Sequence, residues 1–208
     1  GFCGWPTVLR FLKNDKKVTI VDNLSRRKID KEISGNSLTK IASISNRINT
    51  ANKIFGKKKL DFENIDIAEN PNDLKILIKK MKPKTIVHFA EQRSAPYSMI
   101  NFETRKYTIE NNLSGTHNLC SSIIDVDPNI HLIHLGTMGV YGYTNIFGKI
   151  PEGYLDIKTP HSKKKSSILY PANPGSIYHL SKCLDQLIFQ YYNKNWGMRI
   201  TDLHQGIV

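Results

Sequence analysis

Short, unbroken apolar runs separated by longer helical patterns constrain this chain more than any other feature. Val18-Thr19-Ile20-Val21-Asp22, Thr85–Ala90, His131–Thr137 and Arg199–Leu203 are rich in β-branched residues, and a weaker run lies near Phe62–Ile67. Such runs fit strands buried on both faces. Helical patterns fall between them at Trp5–Lys13, Ser37–Phe55, Pro71–Met81, Phe102–Val126 and Ile177–Asn195. Pro6 and Pro71 suit first helical turns, where a missing N–H costs nothing. Strands alternating with helices predict a parallel sheet covered on both faces.

Composition narrows the function classes. With 208 residues, the chain has room for one domain and its core. The net charge is +12, but 23 of the 30 basic residues are Lys and only 7 are Arg. Lysines spread along the chain predict diffuse surface charge, and no nucleic-acid partner is expected. No apolar run is long enough to span a membrane. Cys3, Cys120 and Cys183 are widely spaced and odd in number, so a reducing compartment is expected rather than a disulfide framework. Residues 144–175 lack a clear period and include Lys163-Lys164-Lys165, and are expected to form a loop insertion on the active face. The remainder reads as one NAD(P)-binding α/β domain, a Rossmann-like doubly wound parallel sheet spanning 1–208. The start resembles the middle of a motif, so the chain is expected to be a fragment without its first strand and, as such, to fold poorly alone.

Three constellations carry chemistry. Gly1 and Gly4 precede a helix, a strand and Asp22, which follows Gly4 by 18 positions. Glycines let backbone approach a pyrophosphate at a helix N-terminus, and an acid about 20 residues on accepts from the adenosine ribose. The acid favours NAD; Arg26 and Arg27 leave a 2′-phosphate open. Tyr178 and Lys182 lie four apart, on one face of a helix. The Lys charge is expected to lower the Tyr pKa and make it a general base, the bland alternative being an amphipathic helix with a surface Lys. Thr137 ends a core strand, where its hydroxyl can meet a reacting oxygen or simply cap the strand. Arg93, in Glu91-Gln92-Arg93-Ser94-Ala95-Pro96-Tyr97-Ser98-Met99, offers a planar fork to an anionic substrate group or to a structural salt bridge. His88, His131 and His134 are expected to be core histidines. Without H-x-x-x-H or C-x-x-C spacing, no metal is expected. Cys3 is expected to pack beneath the glycine turn.

Together with Gly136-Thr137-Met138-Gly139 and Thr201-Asp202-Leu203-His204-Gln205-Gly206, these motifs resemble the extended short-chain dehydrogenase/reductase superfamily, whose members remodel nucleotide sugars with tightly held NAD. Within it, the Glu91–Met99 run resembles the sulfolipid-forming branch. The resemblance implies that UDP-glucose and sulfite give a UDP-sugar sulfonate through a 4-keto-5,6-ene. It implies catalytic roles for Thr137, Tyr178 and Lys182. Cofactor contacts would come from Gly1, Gly4, Asp22, Asn23, Leu24, Ser25, Arg26, Asp66, Ile67, Asn111, Tyr178, Lys182 and Val208. Substrate contacts would come from Arg93, Thr137, His179 and Gln205. It also implies a homodimer through the two long helices, a sulfite-supplying protein, a plastid or bacterial cytoplasmic location, and a longer chain completed by a sugar-binding domain. Val140, His204 and Ala90 depart from the Glu, Asn and Gly usual in the branch. Another nucleotide-sugar 4-epimerase or dehydratase, or a non-catalytic NAD-fold or RNA-binding protein, are the alternatives.

Overall fold

The structure, a computed structural model, describes residues 1–35, 37–143, 150, 153–158, 160–161 and 164–206. In chain order the elements are α1 (Gly4–Lys13), β1 (Val18–Val21), α2 (Ser25–Glu32), α3 (Ile44–Phe55), β2 (Leu60–Glu63), α4 (Pro71–Met81) and β3 (Thr85–His88). There follow α5 (Phe102–Val126), β4 (His131–Thr137), β5 (Tyr154–Lys158), β6 (Lys165–Leu169), α6 (Ile177–Trp196) and β7 (Ile200–Gln205). Short 3-10 turns at Tyr97–Met99 and Met138–Tyr141 follow β3 and β4.

The expected parallel α/β architecture is present. Its pairing falls into two parallel ladders, β1-β2 and β3-β4-β7. Within these 208 residues no strand precedes α1, and β1 and β3 are not hydrogen-bonded neighbours. Successive β4 residues serve opposite faces. Leu132 packs with Leu119, Ile123 and Phe189 of α5 and α6. Ile133 instead borders a cavity of about 440 Å³ whose other wall includes Pro6 and Phe11 of α1. A second cluster gathers Leu12, Ala51 and Leu60 from α1, α3 and β2.

Side-chain caps place the long helices. Asn101 Oδ1 accepts from Thr104 N at 3.0 Å while Thr104 Oγ1 accepts from Asn101 N at 3.1 Å, a reciprocal capping box for α5. Ser176 Oγ accepts from His179 N at 3.2 Å and starts α6, which Gly197 ends in a left-handed conformation at φ 66°. Three expectations needed correction. Ser37–Ser43 is not helical: Ser43 caps α3 by accepting from Asn46 N at 3.2 Å. Ser25–Glu32, expected to be irregular, forms α2 with no buried residue. Residues 144–175 are not all loop, because β5 and β6 pair as an antiparallel hairpin. Among the described residues, no helix is long and apolar enough to cross a membrane.

Candidate active site

The first βαβ passage builds a cradle at the carboxyl end of β1. A Cβ on Gly4 would meet only Phe89 Cδ2 at 3.4 Å, and one on Gly1 would meet nothing within 4 Å, so the approach to the α1 N-terminus is open to a ligand. Asp22 Oδ1 accepts from Leu24 N at 2.7 Å, in a turn where Leu24 adopts φ 58°. Asn23 accepts from Ser25 N at 2.9 Å and donates to Asp66 Oδ2 at 2.7 Å. One side chain thus joins the ends of β1 and β2. Asp66 Oδ1 accepts from Ala68 N at 2.9 Å, and the Ile67 carbonyl accepts from Asn118 at 2.9 Å. These two acidic turns, the glycine-lined helix start and the adjacent Arg26 fit a dinucleotide with its ribose on carboxylates and its phosphates on backbone N–H groups. Asn111, on α5, donates to Asn112 Oδ1 at 3.0 Å.

The carboxyl end of β4 carries the reacting side. Thr137 and Gln205 are opposite one another in the β4-β7 ladder, and Thr137 Oγ1 accepts from Gly139 N at 3.1 Å. Tyr178 opens α6 with its N–H donating to Ser98 Oγ at 3.1 Å. Burial pushes the Tyr178 phenol above its ordinary value, and the pull of Lys182 does not reverse it. The expected lowering is therefore corrected. The reason is geometric: Lys182 Nζ lies 6.0 Å from the Tyr178 ring centroid and turns into the core. There it forms an ion pair with Glu91 Oε2 at 2.6 Å and donates to the Leu135 carbonyl at 2.8 Å.

That core is the feature the sequence did not show. Glu91 Oε1 is 2.8 Å from His134 Nε2 and 3.5 Å from His88 Nε2, with side chains almost fully buried. His134 Nδ1 is 2.7 Å from Asp202 Oδ1. Burial alone would neutralise Glu91, but Lys182 and His134 hold it ionised, below the usual carboxylate range. Burial and Glu91 together push Asp185 up to about 8. Burial lowers His88 to about 3, so it stays neutral, and its Nε2 meets Thr116 Oγ1 at 3.2 Å. The donor atoms of His88, Glu91 and His134 converge within 4.8 Å, and the cation among them is the Lys182 ammonium. His88 and His134 are core residues as expected, and half-buried His131 bonds Thr201 Oγ1 at 2.8 Å.

The other residues expected at the site divide. Exposed Arg93 feels the charges of Arg26 and Tyr178, which places it between the two halves of the site. Gln92, Asn112 and Ser181 hold its loop: Asn112 accepts from Gln92 N at 2.8 Å and donates to the Gln92 carbonyl and Ser181 Oγ, each at 3.0 Å. Asn112 was missed, as was Ser98, because neither stands in a pattern of its own. His179 turns away from Tyr178 toward Ser176 Oγ at 2.9 Å and Tyr143 OH at 3.2 Å. A Cβ on Gly139 would overlap the His179 ring at 2.2 Å, so only glycine allows this packing. Val140 is fully buried and offers the site no polar group. Cys3 is partly buried and lines the apolar cavity with Phe89. Val208 lies outside the described residues.

The comparisons agree with this geometry. Over all of its 208 residues the chain is 44% identical to "UDP-sulfoquinovose synthase, chloroplastic" of Spinacia oleracea, covering 42% of that protein. It is 38% identical to UDP-sulfoquinovose synthase of Sulfolobus acidocaldarius, again over its full length and covering 52% of that protein. The chain thus spans about half the length of the curated relatives it matches. Its fold superposes on the UDP-glucose 4-epimerase of Thermus thermophilus in complex with NAD with a TM-score of 0.60 at 20% identity, over 95% of this chain and 49% of the other. Residues 1–204 match the NAD dependent epimerase/dehydratase family, and the chain belongs to that family.

Proposed function

We propose that the protein containing this chain is a UDP-sulfoquinovose synthase, converting UDP-glucose and sulfite to UDP-sulfoquinovose for sulfolipid. The observation that carries this reading is the full-length match to two proteins of that name, which takes in the acidic turns, Glu91–Met99, Thr137 and the Tyr178/Lys182 pair. NAD would lie on Gly1, Gly4, Asp22, Asn23, Arg26 and Asp66, and when bound would supply the reversible oxidation at C4. Tyr178 takes the O4 proton, with Thr137 donating to the same oxygen. The 4-ketone acidifies C5–H, water is lost across C5–C6, and sulfite adds at C6. Arg93 and Gln205 hold the anionic and polar parts of the sugar nucleotide. A sulfonated sugar nucleotide from the full-length protein with UDP-glucose and sulfite is the expected product. UDP-galactose as sole product would overturn the reading in favour of 4-epimerisation, which the absence of a side-chain carboxylate at Val140 keeps as the second reading.

Two further assignments rest on the same relatives. Leu187 and Tyr191, 53% and 57% exposed on α6, offer an apolar face to a second copy of the chain. The spinach relative's name supports a chloroplast setting, where a sulfite-supplying partner would act.

A further inference from the structure

We propose that His134, Asp202 and His204 form a proton relay joining the buried Lys182 ammonium to the protein surface at Tyr141. The chain of contacts is continuous. Lys182 Nζ is 3.0 Å from His134 Nε2, and His134 Nδ1 is 2.7 Å from Asp202 Oδ1. Asp202 Oδ2 is 2.9 Å from His204 Nε2, and His204 Nδ1 is 2.5 Å from Tyr141 OH. The inner end is sealed, with the Lys182 side chain 5% exposed, whereas His204 is 24% exposed. At the inner end, Tyr178 lies one bridging hydroxyl or water beyond Lys182.

His134 is built to hold a variable proton. Its Nε2 has two competing partners, Lys182 Nζ at 3.0 Å and Glu91 Oε1 at 2.8 Å. A neutral ring accepts from the ammonium; an imidazolium donates to Glu91. Both states leave Nδ1–H on Asp202. The groups facing the ring are Glu91 and His88 from β3 and the loop after it, Lys182 and Asp185 from α6, and Asp202 from β7. Two ionised carboxylates, Glu91 and Asp202, then balance Lys182 and a protonated His134. Burial pushes Asp202 up, but bonds from His134 and His204 bring it down to about 2. His134 ends above its ordinary value: burial and Lys182 push it down, and Asp202 and Glu91 outweigh them. The backbone also makes room. A Cβ on Gly136 would lie 2.6 Å from Asp202 Oδ1 and 2.9 Å from His204 Cδ2, so the passage beside β4 requires glycine.

The use for such a path rests on the reaction proposed above. With sulfite as the dianion, the balance is R–CH2OH + SO3²⁻ + H⁺ → R–CH2–SO3⁻ + H2O. The C–O bond breaks with its electron pair leaving on oxygen, the C–S bond forms from the sulfur lone pair, and one proton is taken up. The proton that Tyr178 removes from O4 must return to O4, so it cannot serve. The relay supplies the additional one from solvent.

The test uses the full-length enzyme. Asp202→Asn keeps the hydrogen-bonding shape but not the acid–base capacity. Turnover in dilute buffer is expected to fall about 10-fold or more with KM little changed, and to recover as imidazole is raised, while the parent enzyme ignores imidazole. A loss that imidazole does not restore, or no loss, overturns the relay. His204→Gln, at the partly exposed end, is expected to show the same rescue, and its failure to do so also overturns the relay should Asp202→Asn not fold. A half-reaction separates this from the reaction reading. With UDP-glucose alone, reduction of bound NAD should release a proton into an indicator dye at the same rate in the parent and later than reduction in the variants. Equal timing in all of them counts against the relay even where no sulfonated product forms. Correct timing without that product leaves the relay standing and removes the sulfonation reading.

Discussion

At the scale of single residues, Tyr178 and Lys182 show how far spacing reaches. Their shared helix face was legible, because four residues return an α-helix to the same side. The sign of the Tyr178 shift was not, because Glu91, far away in sequence, takes the Lys182 charge at 2.6 Å. Tyr178→Phe is expected to lower turnover about 10²- to 10⁴-fold while UDP-glucose still binds, measured by single-turnover kinetics and calorimetry. Since burial raises the phenol's pKa, its basic form grows with pH, and the acid limb of kcat/KM should lie on the alkaline side of neutrality. Asp185 permits a sharper pH test. Its carboxyl is pushed from 3.8 to about 8 by burial and by Glu91. The folded state therefore binds more protons than the unfolded one between those values, and stability falls as pH rises through that window. Asp185→Asn mimics the protonated form. Its Tm should match the parent's near pH 4 and exceed it increasingly up to about pH 8; a constant difference across that range would refute the assignment.

At the scale of elements, legibility followed periodicity and caps. α4, α5 and β4 match their expected bounds because proline, a capping box or an unbroken apolar run marks each. α2 escaped because it buries nothing, so no apolar stripe announces it. The β5-β6 hairpin escaped because its half-buried positions are few, Leu155 and Ile157 on one strand and Ile168 and Leu169 on the other. The bond that fixes the site across elements was equally hidden. Asn112 links α5, the Arg93 loop and α6, and is fully buried. Its replacement strands the Gln92 N–H and carbonyl in the interior, at about 1–3 kcal/mol for each unsatisfied group. Asn112→Ala should therefore lower the unfolding free energy of the full-length protein by about 3 kcal/mol in urea titration. It should also raise KM for UDP-glucose, since the Arg93 loop loses its anchor.

At the scale of the molecule, the two ladders and two apolar clusters set the cooperativity of this chain. The Leu12–Ala51–Leu60 cluster belongs with β1-β2, and the Leu132–Ile123–Phe189 cluster with β3-β4-β7. No ladder hydrogen bond crosses between β1-β2 and β3-β4-β7, and a cavity of about 440 Å³ separates α1 from the second ladder. A void of that size forfeits dispersion contacts on both its walls. Coupling between the halves is therefore weaker than packing within either, and the 208-residue chain should not unfold as one unit. The two tryptophans report separately. Trp5 packs on the first cluster beneath the Arg47 guanidinium, 3.9 Å from its ring centroid. Trp196 lies 5.0 Å from the ring of Tyr192 in the second cluster. In urea, a Trp196→Phe chain read by Trp5 fluorescence should lose structure at lower denaturant than a Trp5→Phe chain read by Trp196. The first cluster is the smaller of the two and has less apolar area to lose. Coincident midpoints and slopes would show that the two halves fold as one.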